Sequence, residues 1–258
     1  MRSLPILYQD DVLVAVNKPS GLLVHRSPID RHETEFALQT VRDQIGRRVH
    51  PVHRLDKATS GALVFALDPD AARAMMAAFQ QGAVEKTYLA VVRGFADEAG
   101  RIEHPLREPT DRMSGQRAGE EKAAQEAVTE YRRLATAELP HSAGRHPTSR
   151  FSLVHAFPRT GRTHQVRRHL KHVFHPVIGD TTYGDGRQNE LFRRVFDCRR
   201  LLLHARGIAF PHPSTGAPVR IAAPPDASLA ALLQRLGWGS EALMNNDRHG
   251  DAETQRKD

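Results

Sequence analysis

Asp56 is the residue of this sequence best placed to do chemistry. It lies in the segment His53-Arg54-Leu55-Asp56-Lys57-Ala58-Thr59-Ser60-Gly61, between basic residues and a Thr-Ser-Gly turn, directly before an apolar run. A carboxylate at the rim of a sheet, supported by a guanidinium and turn amides, stays ionised in a partly desolvated pocket, as a nucleophile or base must. The alternative is a simple turn residue that caps Thr59 or Ser60, and spacing alone favours that alternative.

Four histidines in one segment raise the question of a metal site. They are His164, His169, His172 and His175. Only His169 and His172 share a helical face, and no carboxylate motif such as HExxH accompanies them. We therefore expect phosphate contacts or packing here, with no metal. The Asn17–Gly21 turn lacks the glycine spacing and the following Lys-Ser/Thr of a phosphate loop.

The pattern of apolar residues predicts the elements that hold these groups. Gly61–Leu67 is a nearly continuous apolar run, which predicts a central strand buried on both faces. The other predicted strands are Ile6–Tyr8, Val12–Val16, Val84–Val92, Val128–Leu134, Phe151–Val154, Ala205–Phe210 and Val219–Ala222. The predicted helices are Glu35–Ile45, Pro69–Phe79 with Asp68 as N-cap, Arg162–Val173 and Ser228–Leu236. Residues 107–126 have almost no large apolar side chains, which predicts a long surface loop. Strands and helices without regular alternation indicate an α+β fold.

Composition narrows the class of protein. The chain has 258 residues, 40% of them apolar and 26% charged, which suits a soluble enzyme. A single cysteine, Cys198, allows neither an intrachain disulfide nor a cysteine-based zinc site. No signal peptide and no stretch of ~20 apolar residues is present. We expect a cytoplasmic protein with no membrane association, a core that forms one large domain or two lobes, and a disordered tail over residues 239–258. A secreted disulfide protein, a membrane protein and a disordered chain are excluded.

Basic charge is concentrated in one part of the chain. Lys and Arg number 37 against 30 Asp and Glu, a net charge of +7. Residues 150–206 hold twelve Lys/Arg and four Asp/Glu, a difference of +8, so the remainder is nearly neutral. Clustered basicity of this kind is what binding of a phosphate backbone requires, although a solvated helix face would also produce it.

Several motifs together resemble the RluA family of pseudouridine synthases. The segment His53–Asp56 followed by Thr59-Ser60-Gly61 is similar to that family's signature. Four further segments agree in order and spacing: Val16–His25, Glu85–Val92, Gly161–Arg167 with His175–Asp180, and Leu201–Ala205. The match runs from about Ile6 to Ala223. The resemblance implies one catalytic domain over residues 1–238 with the pseudouridine-synthase fold, a mixed and mostly antiparallel sheet flanked by helices and loops, without the S4-like RNA-binding domain of some relatives.

The resemblance also implies roles for individual residues. Asp56 would be the essential carboxylate in a reaction that detaches uracil from C1′, rotates it and rejoins it through C5, without metal or organic cofactor. It would either attack C1′ or remove a sugar proton. Tyr88 would pack against the target base and assist proton removal from C5, and Arg167 would pair with the carboxylate. The implied substrate-binding residues are Arg54, His53, Leu203 and Arg162. Arg54 either fills the place that the flipped uridine leaves in the base stack or supports Asp56. Leu203 either forms part of the apolar wall that excludes water from the sugar or is a core residue.

Certain segments resemble a subgroup that modifies uridine 65 in the acceptor-side stem of tRNA. They are His25-Arg26-Ser27, Gln39–Gly46, Gly144–Arg150 and Arg187-Gln188-Asn189. Lys57-Ala58 departs from the Arg-Pro pair expected in that subgroup. The partner implied is tRNA, with no obligate protein partner. Two alternatives stay open: the same reaction on 23S ribosomal RNA, and a non-catalytic RNA-binding or chaperone protein that would not need Asp56, Tyr88 and Arg167 together.

Overall fold

A computed structural model describes residues 3–26, 33–108 and 123–239. Its strands are β1 (Ile6–Gln9), β2 (Leu13–Lys18), β3 (His50–Pro51), β4 (Ser60–Ala66), β5 (Glu85–Arg93), β6 (Ala99–Glu103), β7 (Val128–Leu139), β8 (Ser149–Pro158), β9 (Leu203–Pro211) and β10 (Pro218–Ala222). Its helices are α1 (Ala37–Ile45), α2 (Pro69–Gln80), α3 (Gln165–His172), α4 (Gly186–Phe196) and α5 (Ala227–Arg235).

These strands form one mixed sheet. Its order is β1-β2-β4-β9-β5-β8-β7-β6, with β10 added to β9 and β3 to β4. Neighbouring strands are antiparallel except β4 and β9, which run parallel. The predicted α+β fold with a mostly antiparallel sheet is therefore confirmed. None of the described helices is long and apolar enough to cross a bilayer.

Strand β4 lies at the centre, as its apolar run predicts. All seven of its residues are buried, and it pairs with β2 on one side and β9 on the other. The approach of β9 depends on Gly61, which has φ of +118° and lies so close that an added Cβ would stand 2.2 Å from the Ala205 carbonyl oxygen. Only glycine fits there. The loop that carries Asp56 is thus fixed where β4 and β9 begin.

The structure extends the sequence predictions in several places. Strands β7 and β8 are longer than predicted, and β6 and α4 were not predicted. Helix α3 begins at Gln165 rather than Arg162, because His164 adopts a left-handed conformation with φ of 55°. The predicted loop 107–126 falls largely outside the described residues, and so does the predicted tail 239–258 except for Gly239.

Two apolar clusters pack helices against the face of the sheet that carries Tyr88. One cluster packs α1 against β2 and β4, and another packs α3 against β5 and β8. Tyr88 on β5 contacts both clusters. The two clusters therefore meet beside the β4–β9 junction, at the place where the Asp56 loop enters the sheet.

Candidate active site

Asp56 and Arg167 form an ion pair between residues 111 positions apart in the chain. The Arg167 Nη1 donates to Asp56 Oδ2 at 3.0 Å. The Asp56 side chain is 25% exposed and that of Arg167 is 9% exposed. The turn after Asp56 is closed by its backbone carbonyl, which accepts from the Thr59 N–H at 3.0 Å. The carboxylate therefore reaches Arg167 instead of capping the turn, and the guanidinium beside Asp56 comes from α3 and not from Arg54.

Asp180 holds the other side of the same guanidinium. Arg167 donates through Nε to Asp180 Oδ2 at 2.7 Å and through Nη2 to Oδ1 at 2.8 Å. Oδ1 also accepts from the backbone N–H groups of Thr182 and Tyr183. Burial opposes ionisation of both side chains, but these bonds outweigh it: they raise the pKa of Arg167 and lower that of Asp180. The pair is therefore fully charged at neutral pH and fixes the fork that meets Asp56.

His164 and Tyr183 complete the rim. The His164 Nε2 lies 3.8 Å from Asp56 Oδ1, and its Nδ1 lies 3.1 Å from the Tyr183 hydroxyl. The Tyr183 ring in turn packs over the Arg167 guanidinium, 5.1 Å from ring centroid to Cζ. Burial lowers the pKa of His164 although the charge of Asp56 opposes that effect. A left-handed conformation is costly for a histidine, and such strain persists where surrounding contacts determine it, often at functional sites.

Lys18 forms the floor beneath Asp56. Its side chain is fully buried, and the ammonium donates to the carbonyls of Pro19, Leu22 and Lys57 at 3.0, 2.7 and 3.2 Å. Burial lowers the pKa of Lys18 to about 7, against the opposing charge of Asp56. These three bonds tie the turn after β2 to the loop that carries Asp56.

Tyr88, on β5, lies beside the carboxylate of Asp56. It pairs with Ala205 of β9, next to a register shift at Thr87, and its ring bridges the two apolar clusters. Burial, followed by the charge of Asp56, raises the pKa of the phenol. The hydroxyl is therefore protonated at neutral pH. Leu203, at the start of β9, is 3% exposed and packs in the same cluster as Tyr88 and Val166.

The remaining predicted substrate-binding residues lie in different environments. Arg54 is exposed and makes no hydrogen bond or ion pair with any residue the structure describes. His53 accepts the Val64 N–H at 2.9 Å and stacks on Phe79, and burial lowers its pKa to about 4. Arg162 donates to the Glu126 carbonyl at 3.0 Å. Of these four side chains, only Arg54 could form hydrogen bonds yet makes none, and no ion pair, with the described chain; binding by Arg54, His53, Arg162 and Leu203 stays a prediction.

A buried polar relay braces the β4–β9 junction. Arg200 donates through Nη2 to the Ser60 hydroxyl at 2.6 Å, and Ser60 lies 2.9 Å from His204 Nδ1. The His204 Nε2 lies 3.0 Å from the Ala223 carbonyl oxygen, to which it donates. Burial lowers the pKa of His204 to about 4, so the ring is neutral at pH 7 and Nδ1 accepts from Ser60. The relay ties the first residue of β4, close to Asp56, to β9.

The histidines of α3 serve packing and the rim of the site. His169 is buried between the Thr129 hydroxyl and the His104 carbonyl, and His172 stacks on His104 with centroids 3.8 Å apart. Within residues 3–26, 33–108 and 123–239, no group of three or more His, Cys, Asp or Glu side chains could hold a metal ion.

Sequence reasoning missed three parts of this site. Asp180 was recognised only as the end of a motif, His164 only as one of four clustered histidines, and Lys18 only as part of a turn. The signal for Asp180 is its place at the end of the His175–Asp180 segment, which the family resemblance groups with Gly161–Arg167. Nothing in the sequence indicates that Lys18 is buried.

The fold and the site define a class of enzyme. A family model described as RNA pseudouridylate synthase matches residues 12–172, and the chain belongs to that family. The solved structure of Human RNA Pseudouridylate Synthase Domain Containing 1 matches with a TM-score of 0.67 and 27% identity, over 91% of this chain and 95% of that one. The family resemblance expected from the sequence is confirmed, and this chain is an RNA pseudouridine synthase.

Similar curated proteins carry a more particular name. A protein of Vibrio cholerae serotype O1 named tRNA pseudouridine synthase C is 51% identical over 242 residues, 94% of this chain and 99% of the relative. A protein of the same name from Haemophilus ducreyi is 51% identical over 235 residues, 91% of this chain and 96% of the relative.

Proposed function

We propose that this enzyme converts uridine 65 of tRNA to pseudouridine, with Asp56 as the essential carboxylate. The observation that carries the proposal is the Arg167 guanidinium held between Asp180 and Asp56, with one oxygen of Asp56 engaged by Arg167 and the other facing the rim. The name of the relatives at about half identity supports tRNA as the substrate. The cytoplasm is the compartment that we propose, because that is where such a substrate would be met.

The chemistry follows from the substrate and product. Uridine and pseudouridine are isomers: the C1′–N1 bond breaks, a C1′–C5 bond forms, C5 loses a proton and N1 gains one. No oxidant, reductant or group donor is consumed. Asp56 acts at the sugar, either by attack on C1′ or by removal of a sugar proton, and each route needs an ionised carboxylate that touches the ribose. Arg167 keeps that carboxylate oriented and Tyr88 forms the wall against which the base lies.

Access to a uridine in a stem requires base flipping. Enzymes that act on a paired base extrude it and pay the unstacking energy, and a protein side chain often occupies the vacated place. Arg54 is the residue that we assign to this role, because it is exposed, lies two residues before Asp56 and has no partner in the described chain. We assign Leu203 to the apolar side of the pocket, behind Tyr88.

The experiment is pseudouridine mapping on unmodified tRNA transcripts incubated with the wild-type protein or with Asp56→Asn. We expect a new pseudouridine at position 65 with the wild-type protein only, while Asp56→Asn retains tRNA binding. Substantial turnover by Asp56→Asn would refute its role. A product at another position would refute the proposed site. Modification of 23S ribosomal RNA instead of tRNA would change the proposed substrate, and binding without any product would leave the non-catalytic alternative.

A further inference from the structure

The exposed side of α3 carries a row of basic residues that leads away from Asp56. His164, Arg168 and Lys171 are spaced four and three residues apart and therefore lie on one helical face. Arg168 donates through Nη1 to the Arg107 carbonyl at 2.8 Å, and the Lys171 ammonium lies 5.9 Å from the Tyr183 ring centroid. No carboxylate of a residue the structure describes pairs with Arg168 or Lys171. Their charges are thus available to an anion outside the protein.

Phe174 ends this row in an unusual conformation. Its side chain is 78% exposed, the largest exposure among the large hydrophobic residues described, and its φ is +65°. The Phe174 N–H bonds the Lys171 carbonyl and the His175 N–H bonds the Leu170 carbonyl, which together form a Schellman motif. Glycine is the usual residue at that position because a Cβ is strained there. The Arg93 Nη2 also donates to the Phe174 carbonyl at 3.2 Å. The fold therefore holds the ring of Phe174 in solvent at a position where the backbone is strained for any residue with a Cβ and where glycine would be easier to accommodate.

We propose that Arg168, Lys171 and Phe174, which we name the α3 platform, form a docking surface for the RNA substrate outside the catalytic pocket. Arg168 and Lys171 take backbone phosphates, and the Phe174 ring stacks on a nucleobase other than the target uridine. A cationic surface combined with an aromatic ring is the arrangement that proteins use to bind nucleic acid. At a rise of about 1.5 Å per residue, the ten residue steps from His164 to Phe174 span about 15 Å. RNA seated at Asp56 therefore continues over the platform. The inference rests on the proposed function, since it takes tRNA as the RNA.

The ring of Phe174 is tested by replacements that separate aromaticity from backbone strain. Phe174→Gly removes the ring and relieves the strain, Phe174→Leu keeps an apolar side chain, and Phe174→Trp keeps an aromatic one. In steady-state pseudouridine formation on a tRNA transcript, we expect Phe174→Gly and Phe174→Leu to lower kcat/KM by about tenfold through KM, because a stacked base is lost. Phe174→Trp should stay close to wild type. Phe174→Gly should melt at the same temperature or higher, so a folding defect would not explain its result. Met76→Ala, at a 49% exposed position of α2, is the control.

The cations are tested by the salt dependence of tRNA binding, measured in the Asp56→Asn background so that no turnover occurs. Each phosphate contact contributes a slope of about −0.9 to log K against log salt concentration on a duplex. Arg168→Gln and Lys171→Gln should therefore each make the slope shallower by about 0.9, the share of one phosphate contact. Phe174→Gly should weaken binding without changing the slope. Arg73→Gln on α2, where Arg73 is exposed and pairs with Asp70, is the matched control and should leave the slope unchanged.

Failure of the platform and failure of the proposed function give different results. If the wild-type protein modifies tRNA but the Phe174 and Lys171 variants match it within about twofold, the platform does not contact RNA and the proposed function stands. That result would leave another partner, such as a protein, for the exposed ring. If the wild-type protein forms no pseudouridine in tRNA, the proposed function fails. The salt dependence of tRNA binding still tests the platform: slopes that are unchanged in Arg168→Gln and Lys171→Gln overturn it.

Discussion

Asp180 offers the sharpest test of how the site is built. Its carboxylate is 2% exposed and accepts four hydrogen bonds, two from Arg167 and two from the N–H groups of Thr182 and Tyr183. In Asp180→Asn the single carbonyl oxygen can still accept from the two N–H groups. The amide NH₂ then faces the Arg167 Nε, and two donors meet where a charged pair stood. The substitution thus removes an anion from a buried pair with almost no change in volume.

The structure sets the size of the effect. Removing one partner of a buried ion pair costs about 3–5 kcal/mol, and we expect the lower end, about 3 kcal/mol, because Arg167 keeps Asp56 as a partner. For a protein of this size that corresponds to a fall in melting temperature of about 6–12 °C. Because the folded-state pKa of Asp180 is lowered, its contribution is present at neutral pH and lost in acid. The difference between the two proteins should therefore shrink as the pH falls below about 4.

The catalytic effect follows from the released guanidinium. Without Asp180, the fork of Arg167 is no longer fixed, and a displacement of about 1 Å at a reacting group can cost about a hundredfold in rate. We expect kcat for pseudouridine formation to fall by about that factor, with a smaller change in KM. Asp185→Asn is the matched control, because Asp185 pairs with Arg93 and caps α4 away from Asp56; it should retain kcat. A wild-type kcat in Asp180→Asn would refute the positioning role, and an unchanged melting temperature would refute the buried pair itself.

Three further predictions concern other parts of the site. Arg54→Ala should leave thermal stability within about 0.5 kcal/mol of wild type, as expected for an exposed residue without described partners, yet raise KM for tRNA; a large fall in stability would instead favour the structural role. Burial lowers the pKa of Lys18 to about 7, so wild-type stability should rise between pH 7 and 10, and urea titrations of Lys18→Met should lack that rise. Burial lowers the pKa of His204 to about 4, so wild-type stability should fall as the pH drops from about 6.5 to 4. Urea titrations of His204→Gln should show a shallower fall, and an equal fall in both proteins would contradict a neutral His204.

Most of the sheet could be predicted because its strands are strongly apolar. The fully buried strand β4 is a continuous apolar run, and continuous runs of that length carry a clear signal. Strand β6 carries little signal, because Ile102 is its only buried residue. Helix α4 could have been found: Leu191, Phe192, Val195 and Phe196 recur at helical spacing, and Asp185 caps the first turn.

The site was predictable by resemblance rather than by physics. Spacing alone favoured Asp56 as a turn cap, and only the order of several motifs indicated catalysis. The resemblance alone implied that Arg167 pairs with Asp56, and in the structure the two side chains lie 3.0 Å apart. Burial of Lys18 and the left-handed His164 depend on tertiary packing, which no local pattern encodes. Such departures from local preference gather at functional sites.

In the proposed function, the guanidinium shared by Asp56 and Asp180 lets Asp56 be both fixed and reactive. A carboxylate paired one-to-one with a buried arginine is stabilised as an ion and loses reactivity as a base or nucleophile. Here Asp180 takes two of the three hydrogen bonds that Arg167 directs at carboxylates, and Asp56 receives one, on Oδ2. The other oxygen, Oδ1, accepts no hydrogen bond from any described residue and lies 3.8 Å from His164 Nε2. In the proposed function, Asp56 therefore keeps one oxygen that accepts no hydrogen bond from the described chain, at the rim where the ribose of a flipped uridine enters.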